Sequence, residues 1–223
     1  METDNPMDSW LGFFYHVAKK RVLVIGGGRV AERRVKKLVD SGAVPELVSP
    51  NLTSDLYRLW QTGHIVWKMR RFVKGDLFSE IDLVVIATSD HTVNEQIATQ
   101  AKALGILCAR ADDPLRGDIV FPASMRAGMI RIEVSTSGAS PALSAGIRDW
   151  LKQELPEIIE ALAEWQRDVR AVLLRQGIAP GPILKRFSSP EWIRTVATDR
   201  SAFEREICAV EETYSLVLPR PRP

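Results

Sequence analysis

Gly26, Gly28 and Ala31 stand in a Gly-x-Gly-x-x-Ala spacing, the pattern in this sequence that most directly implies chemistry. Small side chains at these points let backbone amides approach a pyrophosphate at the start of a helix, where unpaired N–H groups and the helix dipole favour an anion. The amides of Arg29, Val30 and Ala31 form that first turn. In such a site the chain about 20 residues further on, after the next strand, meets the ribose hydroxyls. Here that place is Ser49-Pro50-Asn51, while Thr88 opens the loop after a later apolar strand. NAD is the expected cofactor. Glu46 falls inside the strand and Arg29 at the helix start, so the residues leave NAD against NADP open. An S-adenosylmethionine site is the rival use of such a loop.

Of the three histidines, His16, His64 and His91, only His91 adjoins a predicted cofactor loop, which makes it a candidate for proton transfer. The plainer reading is an exposed residue at a helix start. Cys108 and Cys208 are the two cysteines, a hundred residues apart and without a CxxC pair, so neither a structural zinc site nor a disulfide framework is expected. Asp112 and Asp113 precede Pro114 in a predicted turn, where an acid serves either as a cap or as a proton acceptor.

The elements that must position these residues follow from periodicity. A short apolar run ending at Ile25, a glycine turn, and Val30, Val35, Leu38 and Val39 near helical spacing read as strand, turn and helix. Pro45 to Ser49 and Ile65 to Met69 predict two further strands, with a helix from Ser54 to Gln61 between them. Leu83 to Ala87 is apolar at every position, as a parallel strand covered on both faces requires. A helix from Val93 to Leu104 and a strand from Ile106 to Ala109 complete the alternation, which predicts an α/β fold with a Rossmann-like doubly wound parallel sheet. Ile119 to Pro122 and Met129 to Ser135 predict a strand pair, and Ser140-Pro141 a helix start. The remainder reads as a helical domain interrupted by a Pro- and Gly-rich linker from Ile178 to Ile183. The expected boundaries are 1–112, 113–146, 147–215 and a disordered tail over 216–223.

Composition excludes several classes. The 223 residues are 45% hydrophobic and 26% charged with a net charge of +2, a globular balance that gives no support to nucleic-acid binding. The longest apolar runs are far shorter than the ~20 residues that cross a bilayer. The first residues lack a basic region followed by an apolar one, so a cytoplasmic location is expected.

Four blocks, taken together, resemble the siroheme synthase N-terminal module family. They are Val22 to Arg33 with the glycine turn, Ala87-Thr-Ser-Asp-His-Thr-Val-Asn94, Ala111-Asp-Asp-Pro114 with Phe121-Pro122-Ala123, and Val134 to Pro141. The resemblance covers about residues 20 to 150. It implies NAD-dependent oxidation of precorrin-2 to sirohydrochlorin, followed in some members by insertion of ferrous iron. It also implies a homodimer paired through the segment after the sheet. The family's active-site acid falls on Asp112 rather than Asp113, and its serine falls on Thr136. The asparagine often found three residues before the acid is Ala109 here. Two other readings stay open: an NAD-sensing regulatory module without turnover, and a chelatase with a vestigial nucleotide site. The first needs neither Asp112 nor the Ser/Gly-rich block. Arg110, Arg116, Arg126 and Arg148 are the cations that the carboxylates of a tetrapyrrole would meet.

Overall fold

A computed structural model describes residues 10–155 and 157–220. The acidic opening at residues 1–6 and the last three residues of the expected tail lie outside the described residues. The chain divides into two units, residues 1–121 and 122–223. The expected boundary at 112 is too early because the chain folds back after the sheet. The N–H groups of Asp118 and Ile119 bond to the Cys108 carbonyl at 2.7 and 3.2 Å, and the Asp118 carboxylate accepts from the Cys108 N–H at 3.0 Å.

The first unit contains β1 (Val22–Ile25), α1 (Arg29–Asp40), β2 (Glu46–Val48), α2 (Ser54–Gln61), β3 (Val66–Lys68), β4 (Leu83–Ile86), α3 (His91–Leu104) and β5 (Leu107–Arg110). All pairings are parallel, in the order β3-β2-β1-β4-β5. Alternation along the strands divides the core between the two faces. Val22, Val24, Leu83 and Val85 pack with Val35, Leu38 and Leu56, whereas Leu23, Ile25, Val84 and Ile86 pack with Ile97 and Ala101. Helices cover both faces, which is why β1 and β4 are buried at every residue. The strand order reverses between β1 and β4, and the crevice for a ligand opens beyond their carboxyl ends.

The second unit begins with an antiparallel hairpin, β6 (Ala123–Ala127) and β7 (Ile130–Val134), turned at Gly128 with φ +55°. The expected strand over 119–122 is thus displaced: Ile119 and Phe121 pack on the first unit's core instead. Helix α4 (Pro141–Glu154) lies on the hairpin. Four helices follow: α5 (Ile158–Arg175), α6 (Pro180–Arg186), α7 (Pro190–Thr198) and α8 (Arg200–Tyr214). Trp165, 2% exposed, is their centre, with the rings of Phe187 and Phe203 edge-on at 4.7 and 4.8 Å between centroids. The linker expected over 178–183 contains the start of α6, since Pro180 stands in the first turn, where its missing N–H costs nothing. The tail expected to be disordered is packed over 216–220. Leu216 and Leu218 are buried, the Trp165 indole N–H donates to the Pro219 carbonyl at 2.7 Å, and Arg220 pairs with Glu211. Burial of two alternating leucines outweighs the disorder that a Pro- and Arg-rich ending suggests.

Candidate active site

A cavity of about 800 Å³ opens at the sheet's reversal point, lined by the glycine turn, the end of β2, Arg71 and Phe72, the loop after β4, and Ala111 and Asp112. Each glycine of the turn has its own constraint. Gly26 has φ +121°, and a Cβ there would stand 2.3 Å from the Ala87 carbonyl oxygen. A Cβ on Gly27 would stand 2.0 Å from the Asn51 carbonyl oxygen, so both positions hold the turn against neighbouring loops. Gly28 differs, having φ −85° and nothing within 4 Å of an added Cβ. Its openness serves the cavity rather than the fold.

Helix α1 starts at Gly28 with no side chain capping it. By contrast Thr53, Asp90, Ser140 and Ser189 cap α2, α3, α4 and α7 with a side-chain oxygen. A 12-residue helix whose first amides face an open cavity without an internal acceptor suits an anionic group. The residues present therefore fit the pyrophosphate of a dinucleotide. Of the residues expected to bind it, Gly26, Gly28, Arg29, Val30, Ser49, Pro50 and Thr88 line the cavity. Ala31 is fully buried instead, its methyl letting α1 approach the sheet. Asn51 contributes its carbonyl, which accepts from Ser49 Oγ at 2.7 Å.

Beyond β4 and β5 lies a charged network. Arg110, at the end of β5, has a side chain only 3% exposed. Its Nε and Nη2 donate to the two carboxylate oxygens of Asp112 at 3.2 and 2.8 Å. Glu95 on α3 pairs with Arg110 at 2.8 Å and with Arg116 at the same distance. Asn94, wholly buried, bonds to Asp112, donates to the Thr88 carbonyl at 3.2 Å and accepts from the Thr88 hydroxyl. The fork from Arg110 holds the Asp112 carboxyl far below the ordinary value of 3.8, against the opposing effect of partial burial. His91 Nδ1 stands 3.5 Å from Asp112 Oδ2 on an exposed side chain. Burial pushes the Cys108 thiol up to about 11, so it is not a nucleophile near neutrality.

Arg110 was expected to meet substrate carboxylates, but the structure commits it to Asp112 and Glu95. Arg148 pairs with Asp149, and Arg126 donates to the Gly128 carbonyl. Asn94, Glu95, Arg71 and Phe72 were not singled out in the sequence as chemical residues. Asn94 lay inside a quoted block, and its spacing of six from Thr88 was the available signal.

Thr136 lies in the second unit. Its Oγ1 accepts from the Ser140 N–H at 2.9 Å and contacts the Ser140 carbonyl at 3.0 Å and Ser144 Oγ at 3.1 Å. Ser137 next to it has φ +51°, a left-handed conformation. Among the described residues no group of three His, Cys, Asp or Glu side chains is placed to hold a metal ion. No helix of the described residues is long and apolar enough to cross a membrane.

Residues 13–123 match a family described as "Putative NAD(P)-binding". Siroheme synthase from Xylella fastidiosa (strain M12) is 34% identical over 147 residues, covering 66% of this chain and 30% of that protein. Siroheme synthase 3 from Aeromonas hydrophila is 30% identical over 191 residues, covering 86% and 40% respectively. The chain thus spans about a third of the length of the curated relatives it matches. A solved structure described as SirC, precorrin-2 dehydrogenase, superposes with a TM-score of 0.71 at 23% identity, covering 88% of this chain and 98% of that one. That likeness shows the fold. By the family match over residues 13–123 the first unit is an NAD(P)-binding module, and its glycine turn and uncapped α1 fit the cofactor's pyrophosphate.

Proposed function

Since the chain belongs to the siroheme synthase N-terminal module family, we propose that it oxidises precorrin-2 to sirohydrochlorin with NAD, using Asp112 as its catalytic carboxylate. The observation that carries this reading is the placement of an ionised, Arg-held carboxylate at the β5 end of a cleft whose other wall is a bare helix N-terminus. NAD, when bound, supplies a hydride acceptor. The uncapped amides of α1 hold its pyrophosphate, and Gly28 leaves the space. Ser49 and Pro50 after β2 would hold one half of the dinucleotide, and Thr88 and Asp112 beyond β4 and β5 would face its reacting half.

Oxidation removes a hydride and a proton from the substrate. Loss of the hydride leaves positive charge on the tetrapyrrole, which the Asp112 carboxylate opposes at short range. The proton then passes to an Asp112 oxygen, and His91 at the exposed rim relays it outward. Arg110 and Asn94 keep the carboxylate ionised and aimed before substrate arrives. Thr136 orders the loop before α4 in the same protein. Leu143 and Trp150, exposed on α4 seven residues apart, support pairing of two copies through that segment. The proposed compartment is the cytoplasm.

The test is an anaerobic absorbance assay of the full chain with precorrin-2 and NAD. Conversion to sirohydrochlorin with stoichiometric reduction of NAD is the expected result, and NAD binding without turnover would favour a sensor. Adding ferrous iron to a parallel sample without NAD, with sirohydrochlorin as substrate, reads out iron insertion separately. A folded Gly28→Val protein should lose NAD binding, because its φ suits any residue and its side chain would enter the cavity.

A further inference from the structure

The end of the cleft away from Asp112 carries a feature that the oxidation does not use. In Rossmann sites an acid at the carboxyl end of the second strand bonds the ribose 2′-hydroxyl of NAD, whereas a nearby arginine in its place accommodates the 2′-phosphate of NADP. Here β2 runs out into Ser49-Pro50-Asn51, with no carboxylate. The acids around it are committed elsewhere. Glu46, at the other end of β2, pairs with Lys68. Asp76 is 2% exposed and accepts from Arg70 and from the Val73 N–H.

Arg71 is the contrasting residue. It lines the cavity together with Ser49 and Pro50, and its side chain is exposed. Among the described residues its guanidinium makes no hydrogen bond or ion pair, whereas the guanidinium of its neighbour Arg70 is bound to Asp76 through both terminal nitrogens. A free guanidinium beside a cleft without a local acid attracts a phosphate and meets no competing anion. A 2′-hydroxyl offers that cation only a neutral partner, so the residue distinguishes the two cofactors.

We propose that Arg71 forms a 2′-phosphate subsite at the β2 end, so that the cleft accepts NADP as well as NAD and Arg71 sets their ratio. This rests on the reading that the cleft binds a nicotinamide dinucleotide. The subsite's ligand class is a ribose 2′-monophosphate joined to adenine.

The experiment is isothermal titration of the full chain with NAD, NADP, and the fragments 5′-ADP and 2′,5′-ADP, at two salt concentrations. NADP should bind at least as tightly as NAD, and 2′,5′-ADP more tightly than 5′-ADP, with the advantage shrinking at high salt. Arg71→Ala should weaken NADP about tenfold or more and change NAD by less than about twofold. Arg71→Lys should restore part of the loss and Arg71→Glu should reverse the preference. Thermal melts establish that the variants are folded. NADP binding tenfold weaker than NAD in the parent, or equal losses for both cofactors in Arg71→Ala, would overturn the subsite while leaving the NAD reading intact. If neither dinucleotide binds the folded parent, the functional reading falls and the subsite with it.

Discussion

In the loop after β5 the polar side chains hold a charge, whereas in the loop before α4 they hold the backbone. Asp112 accepts a two-pronged bond from the buried Arg110, while Thr136 and Ser140 turn their hydroxyls onto amides and a carbonyl at the start of α4. The family resemblance gives both loops a role at the reacting centre, but the physics assigns them different kinds of cost. A charge held beside a cavity is an investment recovered when a ligand develops the opposite charge. A hydroxyl fully engaged with its own loop stabilises the fold whether or not a ligand is present.

The largest test of this difference is Asp112→Asn. It keeps the shape and removes the charge, so kcat in the precorrin-2 assay should fall by about 10²- to 10⁴-fold, as for loss of a general base, with NAD affinity nearly unchanged. Asp113→Asn is the control and should be mild. Comparable losses in both variants would make the whole loop a structural turn. The pH profile sharpens the point. Because Arg110 depresses the Asp112 pKa, the ionised form dominates above the ordinary carboxylate value of 3.8 and is lost only as pH falls through the depressed value. No acid limb from this residue should therefore appear down to about pH 5. A limb near pH 6 would take the proton transfer away from Asp112.

Thr136→Ala should have the opposite profile. Losing the acceptor for the Ser140 N–H and the contact with Ser144 should cost about 1–2 kcal/mol of stability, seen in urea melts, with turnover changed only a few-fold. A drop in kcat as large as that of Asp112→Asn, in a protein of unchanged stability, would give this hydroxyl a direct role on substrate. Ser137→Gly is the smallest effect. Relief of a non-glycine φ of +51° is partly offset by the flexibility that glycine adds to the unfolded chain, so stability should rise by about 1 kcal/mol or less.

How far each loop was legible depends on how local its cause is. Gly26 and Gly28 carry their meaning in spacing, since a strand, a tight turn and a bare helix start all lie within a dozen residues. Capping at Ser140 was equally local. Arg110 was not legible, because its partners on α3 and in the next loop meet only after β4 and β5 pair. The sequence showed an arginine near an acid, and only burial shows that it serves that acid rather than a substrate. Arg71 escaped for the same reason, as it reaches the cleft by a loop whose path no periodicity records. The misread segment at 178–183 failed differently: Pro180 was taken as a breaker where it is an initiator.

The bond between the Trp165 indole and the Pro219 carbonyl bears on how the protein is made. The first unit has all its strands once residue 110 has left the ribosome, and its fold-back once residue 121 has. The helical cluster must wait for Leu216 and Leu218 to cover it. At about 5–20 residues per second, that leaves the nascent chain for roughly 5–20 s with a finished nucleotide cleft and an open aromatic centre. During synthesis the vulnerable surface is therefore the Trp165 cluster, the region on which a chaperone or a protease would act first.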